Sequence, residues 1–408
     1  MQFMARKPPS QTEFIALVAF IMAMISLSID NLLPAFAPIR RDFAIGSAND
    51  LQLIVTVYMV GSGLMQIVYG TLSDVVGRRP TLLAGILLYA IGAGIGMVAH
   101  DYQQLLAGRL VQGMGAAAAQ VLSLALIRDR YSGREMARIM SLVFMVFIMV
   151  PVIAPALGSA CIALWGWRSV FASMLLMSVA VAVWFSLRMP ETLHPEHKRA
   201  FSLQRIGAGI VTTLSHRGTV GYGIAIALMM GCLMTYVSSS QQIFETEVYG
   251  LGVWFPVAFG GIAAVMGLAF FANSHLVRTL GMYRLSHVCL LLFVLFTGLG
   301  FLAAVVWQGK PPLLVFAGLL AAIQFLMCLT MPNFNAIAME PLGAVAGTAS
   351  SVLGLVTTLG GALIGMVVGR TFDGTVLPLG ITYIVSGLVA LLAVLWATRW
   401  KLNLSGAR

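Results

Sequence analysis

Hydrophobic residues in this chain fall into long, nearly uninterrupted runs that short polar segments separate. Three of these runs extend from Phe14 to Phe36, from Thr81 to Ala99 and from Ile381 to Ala397. Each is close to the roughly 20 residues that an α-helix needs to cross about 30 Å of hydrocarbon. Runs of this length with so few charges are typical of membrane-spanning helices and not of helices in a soluble core.

Apolar runs bounded by charged or turn-forming residues predict twelve spans. The predicted ranges are 14–36, 51–71, 81–98, 103–126, 138–163, 169–188, 219–243, 252–275, 285–307, 312–335, 347–369 and 378–398. The longest polar interruption, from Arg188 to Arg217, divides them six and six. The pattern predicts an all-α polytopic membrane protein of two pseudo-symmetric six-helix bundles, residues 1–190 and 218–408, joined by a cytoplasmic linker at 191–217.

The charges agree with a membrane protein and indicate its orientation. Only 9% of the residues are charged and 60% are hydrophobic, against about 25% and 45–50% in soluble domains. If the N-terminus is cytoplasmic, eighteen of the 24 Lys and Arg residues lie on that side and five lie outside. By the positive-inside rule, both termini are cytoplasmic in a multi-pass protein of the bacterial inner membrane. Topology also explains the net charge of +10, so we expect no nucleic-acid partner.

Several other classes of function lack their sequence signals. The four cysteines form no CxxC pair and have no nearby His at metal-ligand spacing, so we expect no metal site and no disulfide. No G-x-x-x-x-G-K-[ST] loop is present, which argues against an ATP-driven pump. A membrane enzyme needs a paired acid and base at one depth, and only Asp30 and Arg109 lie deep within predicted spans. We therefore expect neither an enzyme nor a cofactor.

Asp30 lies inside the first span, where Asn31 and Pro34 follow it. An ionised Asp at the centre of a span costs about 2.5–3.5 kcal/mol on insertion scales, so it should face a wet cavity or be protonated. The functional interpretation is a proton-binding carboxylate that couples proton entry to substrate release. The structural alternative is an Asp near the outer interface, assisted by Asn31 and the kink at Pro34.

Arg109 is the other charge well inside a span, and Gln112 shares its helix face three residues later. Neighbouring Gly and Ala residues permit close approach of another helix, so Arg109 should point into the bundle. As a permanent cation it can act on a nearby carboxylate or bind an acceptor group of a substrate. The alternative is an Arg that snorkels to the nearer surface.

The loop between the second and third spans carries a charged, glycine-containing turn. Gly77 supplies the chain reversal, and Asp74 can pair with Arg78 or with the positive end of a neighbouring helix. Asp129, just beyond the fourth span, is a third candidate member. A basic hairpin around Gly281 occupies the corresponding place in the second half and suggests duplication, as in transporters built from repeats.

These motifs resemble those of the major facilitator superfamily. The loop signature G-x-L-x-D-x-x-G-R-[KR] is matched by Gly70, Leu72, Asp74, Gly77, Arg78 and Arg79. The fourth-span signature R-x-x-Q-G is matched by Arg109, Gln112 and Gly113. The D-x-x-x-P of the first span, the P-A-L-G at Pro155 to Gly158 and the P-E-T-L at Pro190 to Leu193 are similar to twelve-helix drug:proton antiporters of the Bcr/CflA type.

The resemblance implies a monomeric carrier with a central cavity, alternating access and multidrug efflux driven by protons. It implies that Asp30 binds protons and substrate with Arg109 as its partner, that Pro151, Pro155 and Gly158 mark the antiporter helix, and that a cytoplasmic gate contains Gly70, Asp74, Gly77, Arg78, Arg79 and Asp129. Three positions, in two motifs, depart from the relatives' pattern. Ala154 and Ser159 replace glycines around Pro155, and Met22 stands where some relatives carry a second acid.

The cavity wall is a further prediction. Candidate substrate-binding residues are Asp30, Asn31, Tyr58, Arg109, Gln112, Phe144, Met145, Met149, Tyr236 and Gln324, because flexible Met, aromatic rings and a few polar groups suit promiscuous sites. The alternative for the apolar members is packing or contact with membrane lipid. A carrier of a single native metabolite, such as a sugar or a nucleoside, would share this fold. A membrane sensor without transport would need an added soluble signalling domain.

Overall fold

The computed structural model describes residues 9–131, 133–193 and 203–402, and these residues contain fourteen α-helices and no β-strand. The helices of the first half are α1 (Gln11–Asp30), α2 (Phe36–Asp42), α3 (Leu53–Val75), α4 (Arg78–Met97), α5 (Tyr102–Arg130), α6 (Gly133–Trp165) and α7 (Arg168–Arg188). Those of the second half are α8 (Leu203–Ser215), α9 (Arg217–Ser240), α10 (Phe255–Leu280), α11 (Met282–Val306), α12 (Leu313–Met339), α13 (Ala346–Gly369) and α14 (Leu377–Ala397).

The helices account for every predicted span. Within the described residues, eleven helical stretches are long and apolar enough to cross a membrane. The remaining predicted span, 138–163, falls in α6, of which the apolar part Ile153–Trp165 is described. The all-α polytopic fold predicted from the hydrophobic pattern is therefore confirmed. The short helix α8 lies inside the stretch expected to be a linker, and no pattern in the sequence predicted it.

Chain contacts divide the structure into two compact units. The first comprises the described residues up to Gly46 together with Leu53–Leu203, and the second comprises Ser47–Gln52 together with the described residues from Gln204 onward. Residues 47–52 belong to the second unit because Asn49 donates hydrogen bonds to the carbonyl oxygens of Arg370 and Phe372 at 3.2 and 3.0 Å. The domain limits given above, 1–190 and 218–408, stay a prediction.

The same six helix pairings organise each unit. In the first unit the main pairings are α4 with α5, α3 with α5, α4 with α7, and α1 with α5, α6 and α7. In the second unit they are α11 with α12, α10 with α12, α11 with α14, and α9 with α12, α13 and α14. Each pairing of the second unit corresponds to one in the first after a shift of six spans. This correspondence is the pseudo-symmetry that the sequence pattern predicted.

The first span is broken next to Asp30. Ser10 begins α1 as its N-cap, accepting a hydrogen bond from the backbone N–H of Glu13 in a capping-box sequence. α1 ends at Asp30, a 3₁₀ turn follows at Leu33–Ala35, and α2 continues to Asp42. Pro34 lies in that turn, and its missing N–H and fixed φ favour the end of regular helix. The break places Asp30 at a helix end inside an apolar segment.

Glycines allow α5 to pack backbone to backbone against both α4 and α3 in the first unit. A Cβ atom added at Gly92 of α4 would lie 2.6 Å from the Cα atom of Gln112, and one added at Gly113 of α5 would overlap the carbonyl oxygen of Tyr58. Without side chains at these positions the helices approach closely, as is common in membrane bundles. The close packing fixes the positions of Gln112 and Tyr58.

Candidate functional site

Asp30 is buried in the first unit, with 5% of its surface exposed. Its Oδ2 atom accepts a hydrogen bond of 2.6 Å from the hydroxyl of Ser26, one helical turn earlier. Among the described residues no Lys, Arg or His side chain forms an ion pair with it. A buried ionised carboxylate needs a cation or several hydrogen bonds to offset its lost hydration. The surroundings of Asp30 therefore suit a carboxyl group that gains and loses a proton.

Asn31 lies directly after Asp30 and faces α6 and α7. Its side-chain nitrogen donates to the hydroxyl of Ser173 at 3.3 Å. A Cβ added at Gly158 would lie 2.7 Å from Oδ1 of Asn31. The Oδ1 atom itself is buried and has no hydrogen-bond partner among the described residues. Asn31 thus presents an unused acceptor beside Asp30.

Arg109 is fully buried on α5 and is held by neutral groups. Its Nε atom donates to the carbonyl oxygen of Ile54 at 3.1 Å, and Nη1 donates to Oε1 of Gln112 at 2.6 Å. Its guanidinium lies over the ring of Tyr58. The Nη2 atom has no partner within the described part of the chain. Because Arg109 is fully buried, its side chain does not snorkel to a surface and points into the bundle, as predicted.

Tyr58 on α3 contacts both α5 and α1. It interacts electrostatically with both Arg109 and Asp30. Its hydroxyl is 3.4 Å from the carbonyl oxygen of Ile25 on α1, while its ring faces Arg109 on α5. Asp30 and Arg109 form no ion pair with each other among the described residues. The partnership between Asp30 and Arg109 that the family resemblance implies stays a prediction.

A second tyrosine extends this polar network. The hydroxyls of Tyr89 and Ser28 share a hydrogen bond of 2.5 Å, and Tyr89 also interacts with Arg109 and Gln112. Nε2 of Gln112 points at the sulfur of Met174 at 3.3 Å. Neither Tyr89 nor Ser28 was a sequence candidate. Their positions on α4 and α1 gave no motif, although a buried Tyr usually keeps a partner for its hydroxyl.

The remaining candidates divide between α6 and the second unit. Phe144, Met145, Met149 and Pro151 lie in α6, and their side chains fall outside the described residues. Tyr236 is buried on α9 and stacks on Phe259 with ring centroids 5.6 Å apart. Gln324 is buried on α12. Pro155 belongs to α6, one turn before Ser159, whose hydroxyl donates to its carbonyl oxygen.

Tyr236 and Gln324 share a neighbour in the second unit. The hydroxyl of Tyr383 on α14 donates to Oε1 of Gln324 at 3.4 Å, and Tyr383 interacts electrostatically with Tyr236. Tyr383 was not predicted, because a single Tyr in an apolar span carries no signal of its own. The two candidates thus belong to one polar cluster with Tyr383 at its centre.

Arg78 is the centre of the predicted gate cluster. Its Nη1 atom bonds to Oδ1 of Asp74 at 2.5 Å and to the hydroxyl of Ser73 at 2.6 Å, and its Nε atom bonds to Oδ2 of Asp129 at 2.9 Å. Gly77 takes a φ of 122°, which favours glycine and turns the chain from α3 into α4. Gly70 lies on α3, and its carbonyl oxygen accepts from Ser73. The cluster predicted from Asp74, Arg78 and Asp129 is present in the first unit.

Glu191 completes this cluster. The backbone N–H groups of Arg78 and Arg79 donate to its two carboxylate oxygens at 2.9 and 3.1 Å. These N–H groups begin α4, so the carboxylate caps the positive end of that helix. Thr192, the next residue, donates to Oδ2 of Asp129 at 3.3 Å. The P-E-T-L sequence marked Glu191 only as part of a family pattern, and its capping role appears only in the fold.

Comparisons with known proteins agree with these motifs. Residues 17–365 match the Major Facilitator Superfamily. The chain is 30% identical to the "Uncharacterized MFS-type transporter YdgK" of Bacillus subtilis, covering 97% of this chain and 98% of that protein. It is 26% identical to the "Bicyclomycin resistance protein homolog" of Haemophilus influenzae, covering 96% and 98%.

A solved structure shares the fold. The chain superposes on the xylose transporter XylE from E. coli with a TM-score of 0.70 and 13% identity, covering 96% of this chain and 97% of that one. The recognition made from the loop and fourth-span motifs is confirmed. This multi-pass chain belongs to the major facilitator superfamily of transporters.

Proposed function

We propose that this protein is a proton-coupled exporter of small drug-like molecules that works by alternating access. The observation that carries the proposal is the pair of buried charges in the first unit. Asp30 has no cation partner among the described residues, and Arg109 has no anion partner there. Two uncompensated charges are costly in an apolar segment, and such residues usually serve transport.

Each charge has a distinct role in this proposal. Asp30 exchanges a proton with water, since among the described residues only Ser26 donates a side-chain hydrogen bond to its carboxyl group. Arg109 keeps its charge and binds an acceptor group of the substrate through Nη2. Proton and substrate compete through Asp30 because a substrate that favours the deprotonated site must release a proton when it binds.

The free polar atoms indicate what a substrate must offer. Nη2 of Arg109 is a donor and Oδ1 of Asn31 is an acceptor, and both are buried without a partner in the described structure. A ligand with one hydrogen-bond acceptor and one donor on an apolar body satisfies both. This chemistry is common among drug-like molecules and suits the relative named for bicyclomycin resistance.

The gate cluster, membrane location and assembly complete the proposal. Arg78, Asp74, Asp129 and Glu191 stabilise one of the two access states, because a cluster that contacts no ligand changes only the populations of states. The excess of Lys and Arg on one side supports cytoplasmic termini and the bacterial inner membrane. Each chain acts as a monomer on substrates and protons within membrane lipid.

Transport in proteoliposomes tests this function. We expect the purified protein to move several chemically unrelated drug-like compounds against their gradients when a pH gradient is imposed, and to stop when a protonophore collapses it. Uphill movement of one metabolite alone would replace the drug proposal with a single-substrate carrier. Transport whose rate does not depend on the pH gradient would reject proton coupling.

A further inference from the structure

A buried histidine in the second unit has no part in the proposed transport cycle. His287 of α11 has 1% of its surface exposed. Its Nε2 atom and the hydroxyl of Tyr222 on α9 are 2.8 Å apart. The two rings are within 7° of coplanar and their centroids are 6.2 Å apart, so they meet edge to edge through this hydrogen bond. The contact ties α9 to α11.

A series of ionisable groups leads from His287 to the surface. Tyr283 lies one turn earlier on the same face of α11, with its ring centroid 6.2 Å from that of His287. The hydroxyl of Tyr283 donates to Oε2 of Glu340 at 2.6 Å. Glu340 is exposed, Tyr283 is half-buried, and His287 and Tyr222 are buried. The four side chains thus run from water into the unit.

We propose that His287 is a second proton-binding site, reached from the face where α11 begins through Glu340 and Tyr283. A proton from water enters on the side where Glu340 and Tyr283 lie and binds to the imidazole, so that His287 becomes an imidazolium. Histidine suits this role because its charge changes near neutral pH in ordinary surroundings.

The other described cations on the helices around this site are exposed or contact other groups. On α11 itself, Arg284 lies three residues before His287 and is exposed. On α9 the remaining cation is Arg217, whose guanidinium lies over the ring of Trp396 at 4.8 Å. On α10 the ionisable residues near the turn into α11 are His275 and Arg278, and both are exposed. The ionisable residue of α14 is Tyr383, whose hydroxyl bonds to Gln324. The ionisable residue of α12 is Cys328.

Protonation of His287 would reverse the direction of its hydrogen bond with Tyr222, which joins α11 to α9. When Nε2 carries no proton, the Tyr222 hydroxyl donates to it; when His287 is an imidazolium, Nε2–H donates to the Tyr222 oxygen. The hydroxyl hydrogen must then turn away. Because Tyr222 also packs edge-on against Phe334 of α12, at a centroid distance of 5.0 Å, the change reaches a third helix.

The protonation can be measured without transport. Nitrogen-15 histidine spectra of the full chain in detergent, recorded from about pH 5 to about pH 9, report the charge and tautomer of each of the six histidines. His287→Gln identifies the signal of His287. If His287→Gln does not fold, Tyr222→Phe serves instead. It removes the hydroxyl that bonds to His287 and keeps the ring against Phe334, so the histidine signal that shifts is that of His287. His275→Gln is the matched control, since His275 is exposed.

We expect the His287 signal to convert between neutral and protonated forms within this range. In Glu340→Gln the midpoint should move by about half a pH unit or more, and in the control it should not move. A signal that keeps one neutral tautomer throughout, or a midpoint unchanged in both Glu340→Gln and Tyr222→Phe, overturns the proposal. The role in transport rests on the proposed function. Failure of the proteoliposome assay with a titrating His287 would reject only that function.

Discussion

The guanidinium carbon of Arg109 lies 4.3 Å from the centre of the Tyr58 ring. Hydrogen bonds from Arg109 to Ile54 and Gln112 fill two further directions, and all of these groups are neutral. The positive charge is therefore held by a π face and by dipoles, and no carboxylate in the described structure neutralises it. An acceptor group on a substrate would find an ordered cation that is not already paired.

Replacing the aromatic ring tests how much it contributes. Tyr58→Leu should lower the free energy of unfolding by about 1–2 kcal/mol, since a desolvated cation–π contact is lost. Tyr58→Phe keeps the ring and removes the hydroxyl, which lies 3.4 Å from the carbonyl oxygen of Ile25 and also interacts with Ser28, so it is the matched control for the ring. Thermal unfolding in detergent measures both. Equal stability of the Leu variant and the wild type would show that the ring contact is unimportant.

Asp30→Asn tests the proton site. Asn resembles the protonated carboxyl with little change in volume, so the variant should fold and insert. We expect it to release no protons when substrate is added and to fail in uphill, gradient-driven efflux. Exchange of substrate without a gradient can survive if Asp30 serves mainly the proton. Proton release is measured in weakly buffered detergent solution, and efflux in liposomes.

Asp101→Asn is the control for that substitution. Asp101 caps α5 by accepting from the backbone N–H of Gln104 at 2.7 Å, and Asn caps helices equally well. The control should keep proton release and efflux. Uphill efflux by Asp30→Asn would place the coupling carboxylate elsewhere, with Asp129 and Glu340 the next candidates.

Glu191→Ala tests the cap on α4. Removing the carboxylate leaves the N–H groups of Arg78 and Arg79 without their acceptor and should cost about 1 kcal/mol, the usual value of a helix cap. It should also change the rate of switching between access states and leave substrate affinity near that of the wild type. Glu247→Ala, at an exposed position of the second unit, is the control. Loss of affinity with unchanged switching would contradict the gate proposal.

Two glycines on α4 provide a matched pair. Gly92→Ala would drive a methyl group into the backbone of Gln112 and should destabilise the protein by about 1–3 kcal/mol. Gly94→Ala has no atom within 4 Å of the new Cβ and should be neutral or stabilising, because Ala is the better helix former. Thermal unfolding distinguishes them. Equal effects would show that the close packing of α4 and α5 is not required.

The hydrophobic pattern and the spacing of motifs determined the helical spans and several local features of this protein. The spans, their division into two sets of six and the loop turn at Gly77 follow from local properties: apolar length, charge at the boundaries and a residue that tolerates positive φ. Arg109 and Gln112 share a face because helix geometry alone sets their spacing. Such features depend on residues close in sequence, and a single sequence contains them.

Only the tertiary structure decided which groups meet across helices. The Tyr58 ring on α3 lies against Arg109 on α5, Glu191 after α7 caps α4, and Tyr222 on α9 bonds to His287 on α11. The spans are apolar on most sides, so hydrophobicity alone does not show which face packs against which neighbour. Close approach at glycines such as Gly92 and Gly113 sets those faces, because helices in lipid associate by fit and polar contacts and not by an apolar stripe.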